Sequence, residues 1–143
     1  MTPSAKPPVW FWIVGVLMLL WNGVGVMAYV GEAMMPAEAL QAMPEGQRTL
    51  ILGRPAWATA AYAVAVFGGV AGCLLLLIRR RSAIPVLALS LLGVIVQMGH
   101  AFLLADAFRL VGPAGAVLPT VVVVGALFLL WFARHARAKG WLR

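Results

Sequence analysis

Four apolar stretches, at residues 9–30, 56–78, 83–104 and 114–132, contain no Asp, Glu, Lys or Arg. Each comes close to the roughly 20 apolar residues that a helix needs to cross a hydrocarbon core about 30 Å thick. In lipid every backbone N–H and C=O has to be bonded internally, so a span is a helix or part of a closed barrel. Barrel strands would read as short alternating segments. These runs are continuous and about twice too long for that, so the sequence predicts helices.

Little is left over for anything else. Hydrophobic residues make up 64% of the 143 residues and charged residues 10%, against about 25% charged in an ordinary soluble domain. The expected architecture is all-α: one domain over residues 1–143, an antiparallel bundle of four transmembrane helices. The first stretch follows Lys6, but it is longer than the h-region of a signal peptide, and no small-x-small cleavage site follows it. It is expected to remain as a span.

The charges sort between the gaps. Lys6, Arg79, Arg80, Arg81, Arg134, Arg137, Lys139 and Arg143 fall on one side of the membrane, and only Arg48, Arg54 and Arg109 on the other. Positive residues collect in cytoplasmic segments, which predicts cytoplasmic N- and C-termini. The four acids, Glu32, Glu38, Glu45 and Asp106, then lie outside. The net charge of +7 reads as a topology signal, and no nucleic-acid partner is expected.

The tail 1–8 is short and proline-rich. Trp10, Phe11, Trp12, Trp57, Trp131, Phe132 and Trp141 sit near span ends, where aromatic residues form interfacial belts. The loop 31–55 is the only sizeable one. Within it, residues 36–43 begin with a proline, carry an acid in the first turn and place Leu40 and Met43 on one side. This predicts a short amphipathic helix on the outer membrane surface, with a further turn over residues 47–52. Pro119 is expected about a turn into the fourth helix. That helix, mainly Val and Leu, is expected to be the most exposed to lipid.

Between lipid-facing helices, small and polar residues mark contacts. Gly15, Met18, Asn22, Gly25 and Tyr29 follow 3-4-3-4 spacing on the first span, and Ser90, Gly93, Gln97 and His100 do so on the third. The second span carries Gly68 and Gly72, a small-xxx-small pair. Helix packing is therefore assigned to Gly15, Gly25, Gly68, Gly72 and Gly93. Measured from their span starts, Asn22 and Gln97 fall at nearly the same depth, with Tyr29, Tyr62 and His100 further out. Convergence of these five would make a polar pocket opening outward, with Glu32 and Asp106 at its mouth; equally, Asn22 and Gln97 could simply bond to each other and hold helices together.

Signatures of catalysis are missing: no Gly-x-Ser-x-Gly, His-Glu-x-x-His or phosphate-binding glycine loop. No enzyme activity, metal site or cofactor is expected. Cys73, the only cysteine, reads as a small buried apolar residue.

Several stretches together resemble a known group: residues 6–12 with Leu20-Trp21-Asn22, residues 44–48 leading to Pro55-Ala56-Trp57, residues 65–69, residues 96–99 and residues 139–143. They resemble a family of small four-span bacterial inner-membrane proteins that commonly carry the label "sugar transporter". The resemblance implies an inner-membrane location, and Asn22 and Gln97 match the family pattern; at the position of His100 the family more often has Tyr. Two functions follow as expectations. One is a carrier or facilitator for a small, neutral, polar solute, acting as a homo-oligomer. The other is a non-transporting module that packs on a partner membrane complex. The lipid bilayer is a partner in both.

Overall fold

The computed structural model describes residues 5–143, and every regular element among them is helical. Residues 1–4, half of the expected tail 1–8, lie outside the described residues. The long helices are α1 (Val9–Ala33), α4 (Ala56–Leu77), α5 (Ala83–Gly99) and α7 (Val117–Ala138). Helix α5 continues through a π-helical turn, His100–Leu104, and α7 is preceded by a 3-10 turn, Pro113–Ala116. With those extensions, all four are long and apolar enough to span a membrane. Three short helices, α2 (Ala37–Ala42), α3 (Glu45–Leu52) and α6 (Ala107–Val111), lie in the connections at one end.

Prolines set the helix starts. Pro8, Pro36, Pro44 and Pro55 each stand just before α1, α2, α3 and α4. A proline has no N–H to give and clashes with a preceding helical turn. A helix can begin at such a residue but cannot grow back through it. Pro119 falls in the first turn of α7, where an N–H would have no intrahelical acceptor. The fourth helix runs past the expected end at Phe132 to Ala138. Its last turns are amphipathic: Phe132, Ala133 and Ala136 are buried while Arg134 and Arg137 are exposed.

The bundle is antiparallel, with α1 beside α4, α4 beside α5 and α5 beside α7. Glycines set the close approaches. Gly15 faces Leu77 and Gly25 faces Val66 across α1–α4. Gly68 faces Ser90, Gly72 faces Leu87 and Gly93 faces the Ala61–Ala65 backbone across α4–α5. A Cβ on Gly93 would lie 2.7 Å from the Ala61 carbonyl oxygen. Small residues let two backbones pack this closely where lipid supplies no hydrophobic drive. Ser90 Oγ donates to the Ala65 carbonyl at 2.6 Å, adding one polar bond to the same seam. Only Phe11 and Gly15 of α1 are buried, so α1 rather than α7 is the most exposed of the four.

One end is closed by side chains. Phe11 stacks on Phe132 with centroids 5.7 Å apart, and Trp141 meets Phe11 edge-on. These three are buried in the core with Leu76 and Leu142 rather than standing in an interfacial belt. Trp12, Trp57 and Trp131 remain exposed. The C-terminal residues are strapped across this floor. Arg79 Nε donates to the Trp141 carbonyl and Arg79 Nη2 to the Ala5 carbonyl, both at 2.7 Å. The Arg143 N–H donates to the Arg79 carbonyl, and the Arg81 N–H to that of Arg143. We refer to this as the basic end. At the opposite end, the loop end, α3 packs on α6, with Gly46 against the Leu110 backbone.

Candidate functional site

Helices α1 and α7 close the ring opposite α4–α5, yet they are not closely apposed along their lengths. They touch near the floor through Trp10, Phe11 and Phe132, and at mid-height Trp21 and Met18 approach Gly125. The space between them is a cavity of about 350 Å³ in the centre of the bundle. All four long helices line it, from Leu87 and Leu129 at the bottom to Glu32, Arg54 and Leu118 towards the loop end.

Of the five residues expected in a polar pocket, Asn22, Tyr62 and Gln97 line this cavity. Tyr29 sits beside it, packed edge-on against Tyr62 at 5.1 Å and Phe67 at 5.8 Å. His100 lies on another face. Three positions beyond Gln97 turns it about 60° round the helix, and its ring meets Trp57 edge-on at 5.2 Å.

Asn22 and Gln97 do not share a level. Asn22 and Ser90 both approach Gly69, which puts Asn22 level with Ser90 and two turns of α5 below Gln97. Along α4, Gly15 of α1 meets Leu77 whereas Leu87 of α5 meets Gly72, so α1 starts below α5 and the two span starts do not lie at one depth. Asn22 Nδ2 donates to the Met18 carbonyl at 2.8 Å and approaches Cys73 Sγ at 3.7 Å. Its amide N–H groups are thus spent within α1 and towards α4, while Oδ1 accepts no hydrogen bond from the protein among the described residues. The Gln97 amide makes no hydrogen bond to the protein among the described residues, and it is half-buried facing the cavity.

At the mouth, Arg54 Nη1 forms an ion pair with Glu32 Oε1, joining the end of α1 to the start of α4. The Arg54 guanidinium also stands 5.3 Å from the Tyr62 ring centroid, within cation–π range. Sequence reasoning placed Glu32 here and overlooked Arg54. The available signal was an arginine one residue before the proline that opens α4, opposite in sign to the acid ending α1. Asp106, also expected near the mouth, instead starts α6 and is exposed. The α7 wall was missed too; Pro119, Val122, Gly125, Ala126 and Leu129 repeat at 3-4 spacing along it.

Chemically the lining offers amide and phenol hydrogen bonds, one self-compensated ion pair and a majority of aliphatic surface. Among the described residues no three His, Cys, Asp or Glu side chains group closely enough to hold a metal ion. No family model, curated protein or solved structure matches the chain.

Proposed function

We propose that this chain is a multi-pass protein of the bacterial inner membrane that binds a small neutral solute in its central cavity, as a carrier or facilitator. The observation that carries the reading is the cavity itself: about 350 Å³, walled by all four spans, closed at the basic end by the Phe11–Phe132–Trp141 floor. Pockets of 300–1,000 Å³ with mainly apolar walls and a few placed polar groups are the usual form of a small-molecule site. In the proposed topology the basic end, with Arg79, Arg80, Arg81, Arg134 and Arg137, faces the cytoplasm. The cavity then faces outward, and passage inward requires the aromatic floor to part or a second copy to complete the path.

The lining also narrows the solute. A sugar carries a hydroxyl on nearly every carbon, and each one buried without a partner costs about 1–3 kcal/mol. This wall has few hydrogen-bonding groups, and the Ser90 hydroxyl and the Asn22 amide already donate to Ala65 and Met18. A solute with one or two polar groups on an apolar body fits better than a polyol. Among the described residues no charged group other than the Glu32–Arg54 pair lines the cavity, so coupling to an ion gradient through a buried charge is not part of the proposal.

The test is the melting temperature of the full chain in lipid nanodiscs against small alcohols, amides, polyols and sugars. A ligand at 100 times its Kd that binds only the folded state stabilises by about 2.7 kcal/mol. An upward shift with an alcohol or amide that vanishes in Gln97→Leu supports the reading. If no compound shifts the folded protein, and amphiphiles also fail to enter the cavity, the reading is wrong.

A further inference from the structure

We infer that the cavity takes a single-chain amphiphile with an uncharged head, which enters from the bilayer through the gap between α1 and α7. This rests on the reading of the cavity as a binding site and names the class of its ligand.

The shape comes first. Eleven residue steps separate Trp21 from Glu32 on α1, Leu87 from Met98 on α5 and Leu118 from Leu129 on α7, and these pairs bound the lining. At 1.5 Å per residue the cavity is about 16 Å long. A volume of about 350 Å³ drawn out over that length is a slot. One extended chain fills it, whereas a compact ring or a branched polyol leaves its length empty.

Polarity is graded along the slot. Two deep donors are already spent: Ser90 donates to Ala65, and Asn22 Nδ2 donates to Met18 while its carboxamide presses on Gly69. What remains at depth is mainly the aliphatic surface of Leu87, Val94 and Leu129, with the Trp21 indole and Asn22 Oδ1 as its small polar edge. Gln97 and the Tyr62 hydroxyl, which make no hydrogen bond to the protein among the described residues, lie in the half towards the loop end. An amphiphile inserted tail-first matches both halves.

The head is uncharged because the mouth is. Glu32 and Arg54 neutralise each other, and a charged head would have to break that pair to gain a partner.

Entry follows from the incomplete wall. Val24 on α1 and Leu118 on α7 both line the cavity, yet they are 61% and 63% exposed. Val24 lies nine residues inside the end of α1, about 13 Å along the helix axis. The gap there opens within the apolar band of the bundle, where lipid tails would face it.

The experiment is photolabelling of the full chain in nanodiscs with a monoacylglycerol carrying a diazirine in its tail, followed by peptide mapping. The expected label falls on Val94, Val122 and Ala126, is competed by unlabelled monoacylglycerol, and is lost in Gly125→Leu and Ala126→Leu. Two filling variants are used so that misfolding of one does not decide the result; Val121→Leu, on the outward face, retains the label. Label confined to outward residues such as Leu17 and Leu127, and unchanged by the filling variants, means ordinary boundary lipid and overturns the inference. So does a second copy of the chain crosslinked into the gap. Equal labelling of the slot by the matching diazirine fatty acid overturns the uncharged head. If the slot stays unlabelled while a water-soluble alcohol or amide still shifts the melting temperature, the inference fails and the binding site stands.

Discussion

The carboxamide of Asn22 occupies the place where a side chain on Gly69 would begin: a Cβ built on Gly69 collides with Asn22 Oδ1. A polar residue of α1 is thereby seated in a notch that only glycine leaves open on α4. The same notch brings Ser90 Oγ within 3.5 Å of that Cβ position, so three helices meet at one glycine.

Gly69→Ala is therefore expected to destabilise the bundle by about 1–3 kcal/mol through overpacking and displacement of Asn22. Gly23, one residue from Asn22, has nothing within 4 Å of a built Cβ. Gly23→Ala should leave the melting temperature unchanged or raise it, because alanine is the better helix former. Thermal melts of both variants check the contrast.

The α4–α5 seam should depend more on steric fit than on its hydrogen bond. Ser90→Ala removes one intramembrane bond, a class averaging about 0.6 kcal/mol. Gly93→Val drives a branched side chain into the Ala61 carbonyl and should cost several times more, read as a larger drop in melting temperature.

Gln97 and Asn22 should separate ligand binding from stability. Gln97 has no protein partner among the described residues, so Gln97→Leu is expected to keep the apo melting temperature and lose the ligand-induced shift. Asn22→Leu loses the bond to Met18 and cannot fit the Gly69 notch, so its apo protein should melt lower. Equal apo melting of the two variants would contradict this division.

The strap at the basic end is expected to hold the floor. Removing residues 141–143 exposes Phe11 and Leu76 by taking away the buried Trp141 and Leu142, and losses of this kind run to about 3–5 kcal/mol. Arg79→Lys keeps the charge but not the fork that reaches both Trp141 and Ala5. Limited proteolysis should release the C-terminal residues sooner in Arg79→Lys than in the parent.

At the mouth, Glu32→Gln and Arg54→Gln should each lower stability only slightly. The pair is partly exposed, with side chains 23% and 16% accessible, and such pairs are worth about 0.2–1 kcal/mol. The exchange Glu32→Arg with Arg54→Glu should recover most of that loss in a double-mutant cycle.

Much of the scaffold was legible along the chain. Four long apolar runs have only one way to satisfy their backbones in lipid, and proline positions mark where helices start. The glycines at 15, 25, 68, 72 and 93 could be assigned to contacts because helical spacing alone puts them on shared faces. The site was legible only in part. Asn22, Tyr62 and Gln97 do line one cavity, but nothing in their spacing places His100 on Trp57 or lowers Asn22 to the level of Ser90.

The sequence by itself determined which segments are helical and apolar enough to span a membrane, and which helix faces carry small or polar residues. Those properties depend on local periodicity and on the cost of an unbonded backbone. Only the tertiary structure decided which polar groups are spent and which are free. Asn22 and Gln97 are similar carboxamides that line one cavity; one donates to Met18 and is wedged on Gly69, and the other makes no hydrogen bond to the protein among the described residues. That difference comes from how far α1 slides along α4, where Gly15 meets Leu77 and Gly69 receives Asn22, and from how widely α7 stands from α1.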